Sequence, residues 1–290
     1  MSLYLTTLLL GSAAATDIKA AAADVTDAAE FSDHPDLQTP QIAGALHYRA
    51  IGTAKTAVAL WIHGTPGGWA DIRGLLLDTA FTAEVRLVAV DRPGWGLSTP
   101  PAANSSSAPR WGNFNDHSVA FTPLLKQLRA AHPDVPLIVA GHSWGGSFAP
   151  TLAADHPDLV DGLLLLASSL EPALGQPRWY NRVANTWLMQ KLLPESLLNA
   201  NREIYALHGQ LSLQRPRLSQ LKMPVLFVQG LDDKLVSTDN ADFAARAFDP
   251  ATTGVVQLPD QGHLLQFERP PLIGRCIIAL AKNQLALCRE

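Results

Sequence analysis

Apolar runs of five to seven residues recur between residues 45 and 258 of this 290-residue chain, with helix-patterned stretches between them. Strands are predicted over 45–50, 57–63, 85–91, 135–140, 163–167, 225–229 and 254–258, and helices over 69–79, 115–131, 143–155, 239–247 and 271–287. Several of the runs are apolar at nearly every position, as strands covered on both faces of a parallel sheet must be. The predicted fold class is therefore α/β, a doubly wound and mostly parallel sheet. Such sheets bind ligands beyond the carboxyl ends of their strands, so the residues directly after each strand carry the functional reading.

One stretch breaks the alternation. Residues 170–221 contain no strand pattern, and their apolar residues are spaced for two or three short amphipathic helices. Placed beyond the strand ends, this insertion would form a small helical cap over a site. Apolar side chains not used in packing the cap should then line a substrate pocket, with Trp187 and Tyr205 as candidates. Trp69 and Trp95 are the alternatives from the loops of the sheet domain.

The amino-terminal segment reads differently. Residues 3–10 form a short apolar run followed by Gly11, Ser12 and three alanines, the pattern of an export signal over 1–15, although no basic residue precedes it. The other reading is an extension on a cytoplasmic protein. Residues 16–36 carry Asp17, Asp24, Asp27, Glu30, Asp33 and Asp36 against Lys19, with alanine dominating and no core-forming pattern, so they read as an acidic linker. The folded domain is predicted to occupy 37–290.

Composition narrows the function. With 47% hydrophobic and 17% charged residues, the chain can build a substantial core. A net charge of −4 and no Lys/Arg cluster argue against nucleic-acid binding, and the amino-terminal apolar run is too short to span a bilayer, so no integral membrane span is expected. There is no HExxH, CxxC or P-loop sequence, and neither metal nor organic cofactor is expected. Cys276 and Cys288 fall twelve residues apart in the predicted last helix. A continuous helix would hold them roughly 18 Å apart, beyond bridging distance.

The sharpest local signal is Gly141-His142-Ser143-Trp144-Gly145, which directly follows a predicted strand and opens a predicted helix. Small glycines permit a tight turn that presents a serine above a sheet, a nucleophile elbow. Serine needs a base to become a nucleophile, and that base needs an acid behind it. Of nine histidines, His263 alone sits in a Gly-His loop after the last strand, while Asp232 and Asp233 follow the strand over 225–229. The order serine, aspartate, histidine suits a catalytic triad.

These segments, together with His63-Gly64-Thr65-Pro66-Gly67-Gly68 and Asp91-Arg92-Pro93-Gly94-Trp95-Gly96-Leu97-Ser98, resemble the α/β-hydrolase fold superfamily, in its serine-nucleophile esterase and proline iminopeptidase-like branch. The resemblance covers about residues 45–280. It implies Ser143 as nucleophile, His263 as base and Asp233, through a Gly-x-x-Asp-x-x-Val pattern, as acid. It further implies an oxyanion hole from the backbone of Trp144 and of Gly64 or Thr65. Haloalkane dehalogenases and epoxide hydrolases of this fold carry an aspartate where Ser143 stands. The expectation is a serine hydrolase for a small-molecule ester or amide, with carboxylic-ester cleavage favoured. The alternatives are an aminopeptidase, for which Glu171, Glu195 or Glu203 would hold the ammonium group, and a non-catalytic relative that only binds a ligand.

Overall fold

Alternate side chains of the central strands enter two separate apolar layers, which makes the sheet the middle of the molecule. Val58, Leu60 and Ile62 join one layer, and Ala57, Ala59 and Trp61 the other. A computed structural model describes residue 31 and residues 34–98 and 112–289. The proposed leader and most of the linker lie outside the described residues. Phe31 and Leu37 are nonetheless buried in the second layer, so the end of the predicted linker belongs to the packed domain.

The eight strands are β1 (Gln41–Ala43), β2 (Leu46–Ile51), β3 (Ala57–Ile62), β4 (Val85–Val90), β5 (Leu137–His142), β6 (Gly162–Leu166), β7 (Val225–Gly230) and β8 (Thr253–Leu258). They stand in the order β1-β2-β4-β3-β5-β6-β7-β8. The β1–β2 and β2–β4 pairs are antiparallel, and every other pair is parallel. The main helices are α1 (Phe114–Ala131), α2 (Trp144–Asp155), α3 (Trp179–Ala184), α4 (Trp187–Leu192), α5 (Glu195–Leu218), α6 (Asp239–Ala247) and α7 (Pro270–Ala281). Side chains of α1, α2 and α6 fill the first apolar layer, and those of α7 the second.

Three expectations are corrected. The helix predicted over 69–79 is broken into a 3-10 turn at Trp69–Ile72 and helical turns at Arg73–Leu76 and Thr79–Thr82, because the Asp78 carboxylate caps a fresh start at Phe81 N, 3.0 Å away. The last helix stops at Ala281 instead of running to 287. Asn283 turns the chain back with φ 52°, and Gln284 N donates to Ala279 O at 2.8 Å. Cys288 thereby returns to Cys276, with Cα atoms 4.4 Å apart, and the two form a disulfide. Finally, the cap ends in a 24-residue helix rather than only short ones. Its buried residues Ala200, Leu207, Leu211 and Leu218 lie along one stripe. Gln214 Nε2 fixes this helix to α2, donating to Ser147 O and Thr151 Oγ1, both at 2.9 Å.

Candidate active site

The turn from β5 into α2 places Ser143 in a conformation that a serine rarely adopts, φ 52° and ψ −118°. Such backbone is held only when its surroundings over-determine it, and here they do. Ser143 N donates to Leu166 O at 2.8 Å, and the Ser143 carbonyl accepts from the backbone N–H and hydroxyl of Ser147. The glycines allow the turn to sit this close. A Cβ at Gly145 would strike the carbonyl oxygens of Ile62 and His63, and one at Gly141 the backbone of Gly145 and Gly146.

His263 and Asp233 come together from the loops after β8 and β7. His263 Nδ1–H donates to Asp233 Oδ2 at 2.7 Å, which leaves Nε2 as the basic ring nitrogen. The other carboxylate oxygen accepts Leu235 N at 2.8 Å and Val236 N at 2.9 Å, and Gln229 Nε2 donates to Oδ2 at 3.0 Å. Burial works to raise the Asp233 carboxyl, yet its interactions with His263 and with the backbone N–H groups of Val236 and Leu235 hold it below its ordinary value. Asp232 is exposed beside it. Behind His263, His142 Nε2–H donates to the His263 carbonyl at 2.9 Å. Burial first, then the His263 charge, push the His142 imidazole down to about 3, so it stays neutral in this role.

The loop after β3 is fixed by Arg92. Its Nε donates to His63 O at 3.0 Å and its Nη2 to Gly64 O at 2.7 Å, while His63 Nδ1–H also donates to Gly64 O at 2.7 Å. Arg92 N in turn donates to His63 Nε2 at 3.0 Å, and burial keeps that imidazole neutral, its pKa well below the usual range. The guanidinium lies 4.1 Å from the Trp144 ring centroid, a buried cation–π contact. Its countercharge comes from the cap: Glu203 accepts Nη1 at 2.7 Å and Nη2 at 3.0 Å, plus Trp95 Nε1 at 3.0 Å. Both charged side chains are fully buried. Burial pushes the Glu203 carboxyl up, but Arg92 holds it below its ordinary value.

Ser143, His263, Trp144 and Thr65 line one cavity of about 220 Å³ between the sheet domain and the cap. Gly64 lies against the elbow; a Cβ there would come within 3.2 Å of Ser143 Cβ. The cap contributes apolar walls, among them Leu174, Leu193, Leu197 and Ile204, and the loop after β7 adds Leu235 and Val236. Arg178 also reaches the cavity, donating to Lys234 O and Leu235 O, both at 2.9 Å. No carboxylate lines it among the described residues.

The four aromatic residues proposed from sequence for substrate contact are not brought to this cavity. Trp95 is committed to Glu203, Trp69 packs against Phe31, and Trp187 and Tyr205 face outward from the cap. Nor does the loop from Asp91 to Ser98 enter the cavity. Asp91 instead accepts from Trp69 N, Leu97 N and His47 Nδ1 and thereby shapes the chain behind the loop after β3. The sequence reading missed Arg92 and Glu203 as partners, together with Gln229 and His142. Arg92 and His142 sit inside the recognised motifs, so their positions after strands could have drawn attention; nothing local distinguishes Glu203.

Residues 60–191 match the protein family described as alpha/beta hydrolase fold. With the strand order and the elbow between β5 and α2, the architecture is the α/β-hydrolase fold. Among particular relatives, epoxide hydrolase 3 of Xenopus tropicalis is 28% identical over 190 residues, covering 62% of this chain and 48% of its own length. A 2-hydroxy-6-oxononadienedioate/2-hydroxy-6-oxononatrienedioate hydrolase of Burkholderia vietnamiensis is 26% identical over 238 residues, 67% of this chain and 76% of that relative. A solved thermophilic esterase from Thermogutta terrifontis, with malate bound, has a TM-score of 0.62 at 18% identity, over 85% of this chain and 99% of its own. The chain spans less than half the length of each of the three epoxide hydrolases it matches.

Proposed function

We propose that the chain is a serine hydrolase that cleaves carboxylic esters through an acyl-enzyme. The observation that carries this reading is the meeting of Ser143, in its strained turn, with the His263–Asp233 pair in one largely apolar cavity. In this mechanism His263 Nε2 takes the hydroxyl proton as Ser143 Oγ attacks the acyl carbon. Asp233 holds the imidazole in the required tautomer and stabilises its cation. The backbone N–H of Trp144, with that of Gly64 or Thr65, receives the developing oxyanion from turns that need no rearrangement. His263 then returns the proton to the leaving alcohol, and water releases the acyl group by the same route.

Relatives that include epoxide hydrolases do not redirect this reading, because the residue at the elbow is a serine. The aminopeptidase alternative loses its support. Glu203 is neutralised by Arg92, Glu171 pairs with Arg215 at 3.0 Å, and Glu195 is exposed at the start of α5 away from the cavity lining. A cavity with Arg178 and, among the described residues, no carboxylate suits neutral or anionic acyl chains rather than an ammonium.

A fluorophosphonate probe should label Ser143, and Ser143→Ala should abolish labelling and cut ester turnover by up to about 10⁶. Asp233→Asn should lower kcat by roughly 10⁴ and Asp232→Asn far less. Near wild-type turnover in a folded Ser143→Ala protein would end the proposal. Shortening Leu197 or Ile204 to Ala should move the preferred acyl length, since an apolar pocket discriminates by about 1–3 kcal/mol per group.

We further propose that the protein works outside the cytosol. The apolar leader and the Cys276–Cys288 disulfide support this together, as disulfides persist chiefly in oxidising compartments. Mass spectrometry of protein from its native cell should find a chain beginning near Thr16; an intact residue 1 on soluble cytoplasmic protein would contradict it.

A further inference from the structure

The two short cap helices have an outer face that the active site does not explain. Trp187 is 71% exposed, Trp179 62% and Leu192 58%, and Leu188 and Val183 stand open beside them. Globular proteins seldom leave so many large apolar groups together in water without a partner. The charged residues of α3 and α4 themselves, Arg182 and Lys191, have one sign. Between residues 172 and 194 lie Arg178, Arg182 and Lys191 and not one Asp or Glu, in a chain whose net charge is −4. Arg182 and Lys191 are exposed and make no ion pair among the described residues, whereas the Arg178 guanidinium is engaged by Lys234 O and Leu235 O at the cavity. Lys191 Nζ lies 5.0 Å from the Trp187 ring centroid, a cation–π contact on the exposed surface of α4.

We propose that this face of α3 and α4 seats on an anionic phospholipid surface. Exposed tryptophan and leucine flanked by Arg and Lys suit the boundary between headgroups and acyl chains, where indoles find an apolar bed and cations find phosphate. A second copy of the chain fits poorly, because a two-fold contact through this patch would set its cations against their own kind. The opposite side of the same element carries Tyr180, Asn181 and Ala184 into the cavity, and Leu193 follows α4 into it. Docking therefore brings the cavity wall to the lipid boundary and shortens the path of a poorly soluble substrate into it. The surface stands apart from the chemistry proposed above and is tested separately from it.

The test is co-sedimentation of the full chain with vesicles of phosphatidylglycerol and phosphatidylcholine in equal parts, against vesicles of phosphatidylcholine alone. Binding is expected on the anionic vesicles, with a blue shift of tryptophan emission, and should fade as salt rises. Arg182→Ala with Lys191→Ala should weaken it roughly 25-fold, about fivefold per cation. Trp179→Ala with Trp187→Ala should weaken it at least about tenfold and remove most of the blue shift. All variants should keep wild-type turnover of a water-soluble short-chain ester, so loss of binding is not loss of fold. The single variants Trp187→Ala and Lys191→Ala carry the test if a double variant misfolds. Equal binding to both vesicle types, no binding to either, or binding unchanged by the variants would overturn the proposal. A concentration-dependent dimer abolished by Trp179→Ala with Trp187→Ala would overturn it too, assigning the face to a second copy.

Discussion

Without the Glu203 carboxylate, the Arg92 guanidinium would keep only the carbonyls of His63 and Gly64 as acceptors in a site closed to water. Removing one partner of a buried ion pair leaves an uncompensated charge, so Glu203→Ala should cost about 3–5 kcal/mol in urea denaturation. Glu203→Gln should cost less, because the amide oxygen still accepts one hydrogen bond. A second buried carboxyl makes a prediction about pH. Burial pushes Asp71 up from 3.8 to about 7. Between those values the folded chain keeps a proton that the unfolded chain has released, so this group makes stability fall as pH rises through that window, by at most about 1.4 kcal/mol per pH unit. Asp71→Asn should flatten the stability profile there. Sequence made Ser143, Asp233 and His263 legible because each is marked by its own neighbours in the turn or loop that follows a strand. The Arg92–Glu203 pair was not legible, since its members are 111 residues apart and a glutamate in a helical stretch usually faces solvent. The tryptophans misled for a related reason: residue type announces apolar surface but not the side of a helix on which it falls.

Among the elements, strands were readable where both faces are buried. The runs predicted at 57–63 and 225–229 differ from β3 and β7 by one residue at one end. The three-residue edge strand β1 was not, being too short to show alternation. Helix α7 was overextended because the residue that ends it is Asn283 with positive φ, not the glycine that usually marks such a stop. That mistake hid the disulfide. Closing a loop of this size should stabilise the fold by about 2–3 kcal/mol. Reduced protein, or Cys276→Ser with Cys288→Ser, should therefore unfold at lower urea than the oxidised chain, while α7 itself remains helical by circular dichroism. Within the cap, α5 is held by Gln214 and Glu203, whereas α3 buries only Asn181 and α4 buries nothing. Amide hydrogen exchange should accordingly be fast through α4 and slow through the second half of α5.

At the scale of the whole molecule, the parallel core explains why the site lies where it does. Strands β3, β5, β6, β7 and β8 run the same way, so the loops after β3, β5, β7 and β8 open on one edge and supply Thr65, Ser143, Asp233 and His263 to it. This much was legible, because strand order in sequence and ligand side follow from the alternation. The cap's attachment was not, for it depends on contacts between distant segments. Gln214 ties the inner cap helix to the helix that begins at the elbow, so the back wall of the cavity moves with Ser143, while α3 and α4 form a front wall with few ties. A protein engineer could treat the two walls as separate parts. Residues 179–192 could be exchanged for a loop of different shape to widen the cavity with Ser143, Asp233 and His263 left where they are, whereas a change at Gln214 would be felt in the helix that begins at Ser143.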